Sequence, residues 1–124
     1  MKTSERACQI WSVLAWAARN RQTLTYADLG KLIGVPAAGL GNLLEPIQSY
    51  CKLNSFPPLT VIVVKSDGGL PGSGFIGATA SEFGAALASV YGKDWLALGN
   101  PQPDKLDAAV RELPSNGKFG WQKY

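Results

Sequence analysis

The stretch LTYADLGKLIGVPAAGLGNLLEPI, residues 24–47, leaves its chain few choices, because two helical patterns are parted by a glycine and a proline only two positions apart. Thr25 and Asp28 open the first pattern as a near-capping-box: the threonine hydroxyl accepts from the Asp28 backbone and the carboxylate reaches back. Leu24 and Leu29 take the positions that staple such an entrance. Leu29, Leu32 and Ile33 give this helix an apolar face over about two turns, and Gly34 accepts the left-handed conformation that closes it before Val35 and Pro36. The second pattern is Leu40, Leu43, Leu44 and Ile47, an i, i+3, i+4, i+7 set. Gly39 and Gly41 interleave it where a larger residue would hold neighbouring backbone away. Pro46 cannot donate to a continuing helix, so a break is expected near Leu44, with a further helical turn over 46–53 that packs Tyr50 and Cys51 inward.

Elements on both sides are expected to cover this corner. Residues 4–19 carry Ala7, Cys8, Ile10, Trp11, Leu14, Ala15 and Ala18 at helical spacing, which predicts a core helix opening at a Ser4 cap and ending in the cationic Arg19-Asn20-Arg21-Gln22. After Pro57-Pro58, the β-branched run LTVIVV, residues 59–64, reads as a strand. Ser66-Asp67-Gly68-Gly69 supplies hairpin turn chemistry, and Leu70 to Ile76, weakened by Pro71, Gly72 and Gly74, returns as an edge strand or loop, so that the pair makes a two-stranded wing. Thr79 and Glu82 form another capping box, opening a helix with Phe83, Ala86, Leu87 and Val90 on one face and Gly92 at its end. Trp95 and Leu96 then cover part of the core. A last helix from about Asp104 to Leu113 presents Leu106, Ala109, Val110 and Leu113, and the tail 115–124 is expected to dock aromatics, Trp121 among them.

Size and charge narrow the function. The 124 residues fit one domain, 46% of them are hydrophobic and 17% charged, and the net charge of +3 permits nucleic-acid binding without demanding it. Histidine is absent, which removes the commonest general base and the commonest zinc ligand together; no metal, cofactor or catalytic residue is expected. Cys8 and Cys51 sit among apolar residues and read as reduced core thiols, and no apolar run is long enough for a membrane span, so a cytoplasmic protein is expected. The carboxylates Asp28, Asp67 and Glu82 are accounted for as caps and turn residues. Gly68 to Gly74 is too rich in glycine to ignore as a phosphate loop, yet Phe75-Ile76 stands where a lysine, a hydroxyl and a helix would have to follow. Of the tryptophans, Trp11 lies on the core stripe and Trp16 at its edge.

Helix, turn, helix, strand, glycine turn, strand is the winged-helix order. Within it, "TYADLGKLIG", "AGLGNLL", "PPLTVIVV" and "DGGLPG" resemble the segments "TYG-D-L-A", "R-A-V-G-x-A-L", "P-C-H-R-V-V" and "D-G-x-L-x-G" of the alkyltransferase-like family, which includes the alkylguanine-DNA alkyltransferases. The resemblance covers residues 24–74 and implies a winged helix-turn-helix with a two-stranded β-hairpin wing; with the N-terminal helix and the helical C-terminal extension over 79–124, the expected fold is α+β and mostly helical. It also implies a DNA-binding face. The family's reactive cysteine falls on Leu59 or Thr60, its activating histidine is missing, and the arginine it inserts into the base stack falls on Ala38, so alkyl transfer is excluded.

What the resemblance leaves is a non-catalytic module binding duplex DNA through residues 36–45 and the wing. Ala37, Ala38 and Gly39 offer little bulk, which suits close approach to a minor groove, and Asn42 can hydrogen-bond to a base edge or phosphate. Lys31, Lys52 and Lys65 are the candidate phosphate contacts, with Arg19 and Arg21 behind them. Between Pro36 and Tyr50 the only charge is that of Glu45, which weakens this reading. The alternative is a protein-interaction module in which the same face docks a protein partner without nucleic acid.

Overall fold

The computed structural model describes residues 2–65 and 80–113, with side chains from 83 onward in the second stretch. Its axis is α1, Thr3–Arg19, which buries Ala7, Ile10, Trp11, Leu14, Ala15, Ala17 and Ala18 along a single stripe. The expected cap at Ser4 is not used: Ser4 lies buried within the first turn, Lys2 is the N-cap, and the Glu5 carboxylate accepts from the Lys2 backbone N–H at 2.8 Å. A carboxylate in the first turn also meets the positive end of the helix dipole, so this cap is no poorer than a serine.

Two-residue strand β1, Leu24–Thr25, runs into α2, Tyr26–Ile33, where Thr25 Oγ1 accepts from the Asp28 N–H at 3.0 Å, as its spacing predicts. Gly34 ends α2 with φ 75°, and the Val35 N–H donates back to the Gly30 carbonyl at 2.9 Å. A single 3-10 turn at 37–39 then leads into α3, Leu40–Leu53. Here the expected break is absent, for α3 is continuous through Pro46. Leu40 and Leu44 before the proline and Ile47 and Cys51 after it are all buried on one face. Each such aliphatic side chain stabilises by about 1.5–3 kcal/mol when fully buried, which together exceeds the roughly 3 kcal/mol a proline costs in a helix interior.

The run 59–64 departs further from expectation. Leu59–Ile62 is a 3-10 turn, and only β2, Val63–Val64, is a strand; it pairs in parallel with β1, Leu24 beside Val63 and Thr25 beside Val64. Every residue from Leu59 to Val64 is buried, because α1, α3 and α4, Ala80–Gly92, all pack against the turn. A segment buried on every side has no polar face to set a period, so β-branching alone is a poor guide to its backbone. Its one strand partner among the described residues is two residues long, which limits the ladder. Of the expected hairpin only the first arm is described, and its two strand residues pair in parallel with β1; the turn 66–69 and the return arm 70–76 lie outside the described residues, as do Thr79, the Glu82 side chain and the tail from 114.

Val90 of α4, Trp95 of α5 (Trp95–Leu98), and Leu106 and Ala109 of α6 (Pro103–Glu112) close the core. Phe83, Ala86 and Leu87 are half-buried against it, as the helical spacing predicts. Trp95 donates its indole N–H to the Val90 carbonyl at 2.8 Å and meets Trp11 edge-on at 5.7 Å; Trp11 meets Tyr50 in the same way at 5.6 Å. Leu96, expected in the core, is exposed, since only the first residue of so short a helix faces α1. Both cysteines are free, Cys51 buried and Cys8 half-buried. Among the described residues no helix is long and apolar enough to cross a membrane.

Candidate nucleic-acid interface

The corner between α2 and α3 is held by backbone approach. A Cβ on Gly30 would collide with the Val35 carbonyl oxygen, and one on Gly39 would come within 3.2 Å of Val35 Cγ1. Gly30 is a residue that sequence reasoning passed over: contact with the incoming turn requires a glycine there. Arg6 was missed as well. Its guanidinium donates to the Ile33 carbonyl at 2.6 Å, tying the start of α1 to the end of α2 and answering a carbonyl that the helix leaves free.

The structure brings some of the candidate contact residues together and separates others. Lys31 is exposed in the last turn of α2, next to Gly30 and so beside the corner. Ala38 and Asn42 are exposed on one edge of the corner, an i, i+4 pair, and Ala37 and Gly39 are half-buried between them. The rest of α3 is mostly interior: Leu43, Leu44, Pro46, Ile47, Gln48 and Ser49 are all buried. Only a narrow ridge of Ala38, Asn42 and half-buried Glu45 therefore faces outward over 38–45. Lys52 is exposed, but ten residues along α3 from Asn42 it stands about 15 Å away. Lys65, half-buried, follows β2, whose partner β1 leads directly into α2. Arg19 and Arg21 lie at the far end of α1, roughly 20 Å from Arg6 by helical rise, and do not belong to this face.

Leu32 was expected on the apolar face of α2. It is instead 63% exposed and lines, with Arg6, Gln9, Ser12, Val13 and Ile33, a cleft of about 340 Å³ between α1 and α2. Over two helical turns the core takes Tyr26, Leu29 and Gly30, and Leu32 falls on the opposite side.

The chemistry of residues 59–60 is closed. Leu59 and Thr60 are fully buried, and the nearest thiol, Cys51, takes a hydrogen bond from the Leu59 backbone. Burial pushes the Cys51 thiol up to about 12, against the smaller opposing effects of that hydrogen bond and of the Lys93 charge, so it is neither a thiolate nor reachable. Among the described residues no three of His, Cys, Asp or Glu are grouped to hold a metal ion. Comparison with known proteins returns nothing: no family model, no curated protein and no solved structure matches the chain.

Proposed function

We propose that the chain is a non-catalytic winged-helix module that binds duplex DNA through the α2–α3 corner, with Lys31 and Lys65 on its flanks. The observation that supports this reading is the corner itself. Gly30 and Gly39 let the turn pack closely, and Ala38 and Asn42 stand outward with too little bulk to hold a groove wall away. The similarity of residues 24–74 to alkyltransferase-like proteins points the same way. Alkyl transfer is no part of the proposal, since a buried Leu59 and Thr60 stand where the nucleophile would be.

A titration of labelled duplex and single-stranded DNA at two salt concentrations tests it. Two lysine–phosphate contacts give a log-affinity slope near −2 against log salt, roughly a tenfold loss between about 50 and 200 mM. Duplex binding with that slope is the expected result, and no duplex binding at the lower salt overturns the reading. Exposed Leu32 and its cleft favour a second reading, a protein partner seated between α1 and α2. That partner would be retained in a pull-down with little dependence on salt, and Leu32→Glu would release it.

A further inference from the structure

Three cations that the corner does not use converge elsewhere. Arg19, Arg21 and Lys93 line one cleft of about 290 Å³ together with Tyr91, Gly92 and Asp94, where the end of α1 meets the turn between α4 and α5. Three separate segments of backbone supply the three charges: the last turn of α1, the loop after it, and the residue after Gly92. Lys93 is not a freely swinging surface lysine, since its ammonium lies 4.4 Å from the centre of the Phe56 ring and 5.6 Å from that of Trp95. Arg21 is held too. It has φ 54°, with its N–H donating to Ala18 O and that of Gln22 to Ala17 O, the arrangement that closes a helix with a left-handed residue. Glycine takes that position at less strain, as Gly34 does at the end of α2. At the end of α1 the chain carries an arginine there instead.

Two features of the cleft oppose an anion, against the three cations, and both are engaged by backbone donors. The carbonyls at the end of α1 would present the negative end of its dipole, but Trp16, Ala17 and Ala18 O accept from the N–H groups of Asn20, Arg21 and Gln22, and the Asn20 side chain donates to Trp16 O at 2.9 Å. Asp94 turns its carboxylate to the Ala97 N–H at 3.1 Å, capping α5. Tyr91, also in the lining, adds a phenol that is protonated at neutral pH and can donate.

We propose that this cleft is a binding site for a terminal phosphate group, gripped by Arg19, Arg21 and Lys93 with Tyr91 as a further donor. A concave site of this volume takes a phosphate monoester and part of the group that bears it, rather than the convex rows of phosphate along a duplex. The monoester comes either from a free nucleotide or from the 5′ end of a strand. The site stands apart from the α2–α3 corner and does not depend on the duplex reading.

Amide chemical shifts followed during titration with inorganic phosphate and with adenosine monophosphate test the site, with chloride at equal ionic strength as the control. Beside them, anisotropy compares a short oligonucleotide carrying a 5′ phosphate with the same strand ending in a hydroxyl. Saturable shifts at Arg19–Gln22 and Gly92–Asp94 with the free phosphates are expected if small molecules are the source. Tighter binding of the phosphorylated strand alone assigns the source to a strand end, and either outcome supports the site. Arg21→Gly is the informative variant, since glycine suits the left-handed position: the melting temperature is expected to hold or rise while affinity for the phosphate falls about tenfold. Lys93→Gln is expected to weaken binding likewise. Shifts no larger than those of chloride together with equal binding of the two strands overturn the proposal, and so does phosphate binding that neither variant reduces.

Discussion

The α-carbon of Gly30 sits against the carbonyl oxygen of Val35, close enough that a methyl group at position 30 would overlap that oxygen. The contact sets how tightly α2 turns into α3. Gly30→Ala is therefore expected to destabilise the protein by about 1–3 kcal/mol, the range for overpacking a site whose neighbour is backbone. Gly84→Ala, on an exposed part of α4 with open space around it, is the matched control and is expected to stabilise by about 0.5–1 kcal/mol. Thermal unfolding of both variants checks the pair; a Gly30→Ala melting temperature equal to that of the parent would mean the corner relaxes freely.

Duplex affinity is the measurement for the lysines. Lys31→Glu combined with Lys65→Glu is expected to weaken binding to all sequences alike and to leave the unfolding midpoint within about 0.5 kcal/mol of the parent, as for surface substitutions generally. Unchanged affinity at low salt would remove these two residues from the interface.

Cys51 makes stability depend on alkaline pH. Its thiol is neutral in the folded protein up to about 12, whereas the unfolded chain ionises it near the ordinary value of 9.0. The unfolded state thus releases a proton first, and stability present below pH 9 declines as pH rises toward 12, by at most about 1.4 kcal/mol per unit. Tyr91, with its pKa raised above 10.0, acts in the same direction at the top of that window. Urea midpoints between pH 8 and pH 10.5 should fall less steeply for Cys51→Ala than for the parent protein, and parallel curves would contradict the assignment. In the same buffers, a thiol reagent is expected to modify Cys8 in the folded protein and Cys51 only after denaturation.

Thr60 is fully buried and its hydroxyl meets no hydrogen-bond partner among the described residues. Replacement by the isosteric valine removes a polar group that gains nothing in the fold, so Thr60→Val is expected to stabilise by about 1 kcal/mol in urea unfolding. A clear loss of stability would show that the hydroxyl is satisfied after all.

Ser55 repeats the left-handed helix stop at the end of α3, with φ 57° and Phe56 N–H donating to Cys51 O at 2.8 Å. Ser55→Gly is expected to raise stability by a few tenths of a kcal/mol to about 1 kcal/mol, the left-handed strain relieved less the entropy glycine adds to the unfolded chain. A drop in melting temperature would indicate that the serine side chain itself is needed there.

The elements legible in the sequence were those fixed by short-range hydrogen bonds and backbone conformation. Thr25 caps α2, Gly34 closes it, and α6 begins within one residue of its expected start, behind Pro103. In each case the determining groups lie within a few positions of one another, so no distant partner is needed to predict the outcome. The core stripe of α1 was legible for a related reason, because one face of a long helix repeats its signal many times.

Elsewhere the outcome depended on which faces other elements cover. Continuity of α3 through Pro46 follows from burial on both sides of the proline, and the 3-10 turn at Leu59–Ile62 from enclosure by α1, α3 and α4. Leu32 is exposed because no described element covers its side of α2, and Arg19 and Arg21 face Lys93 only because α4 ends beside α1. Local pattern reports the energy of a residue with its near neighbours; the burial of an apolar face and the meeting of charges more than seventy positions apart are properties of the packed chain, and only the tertiary structure decides them.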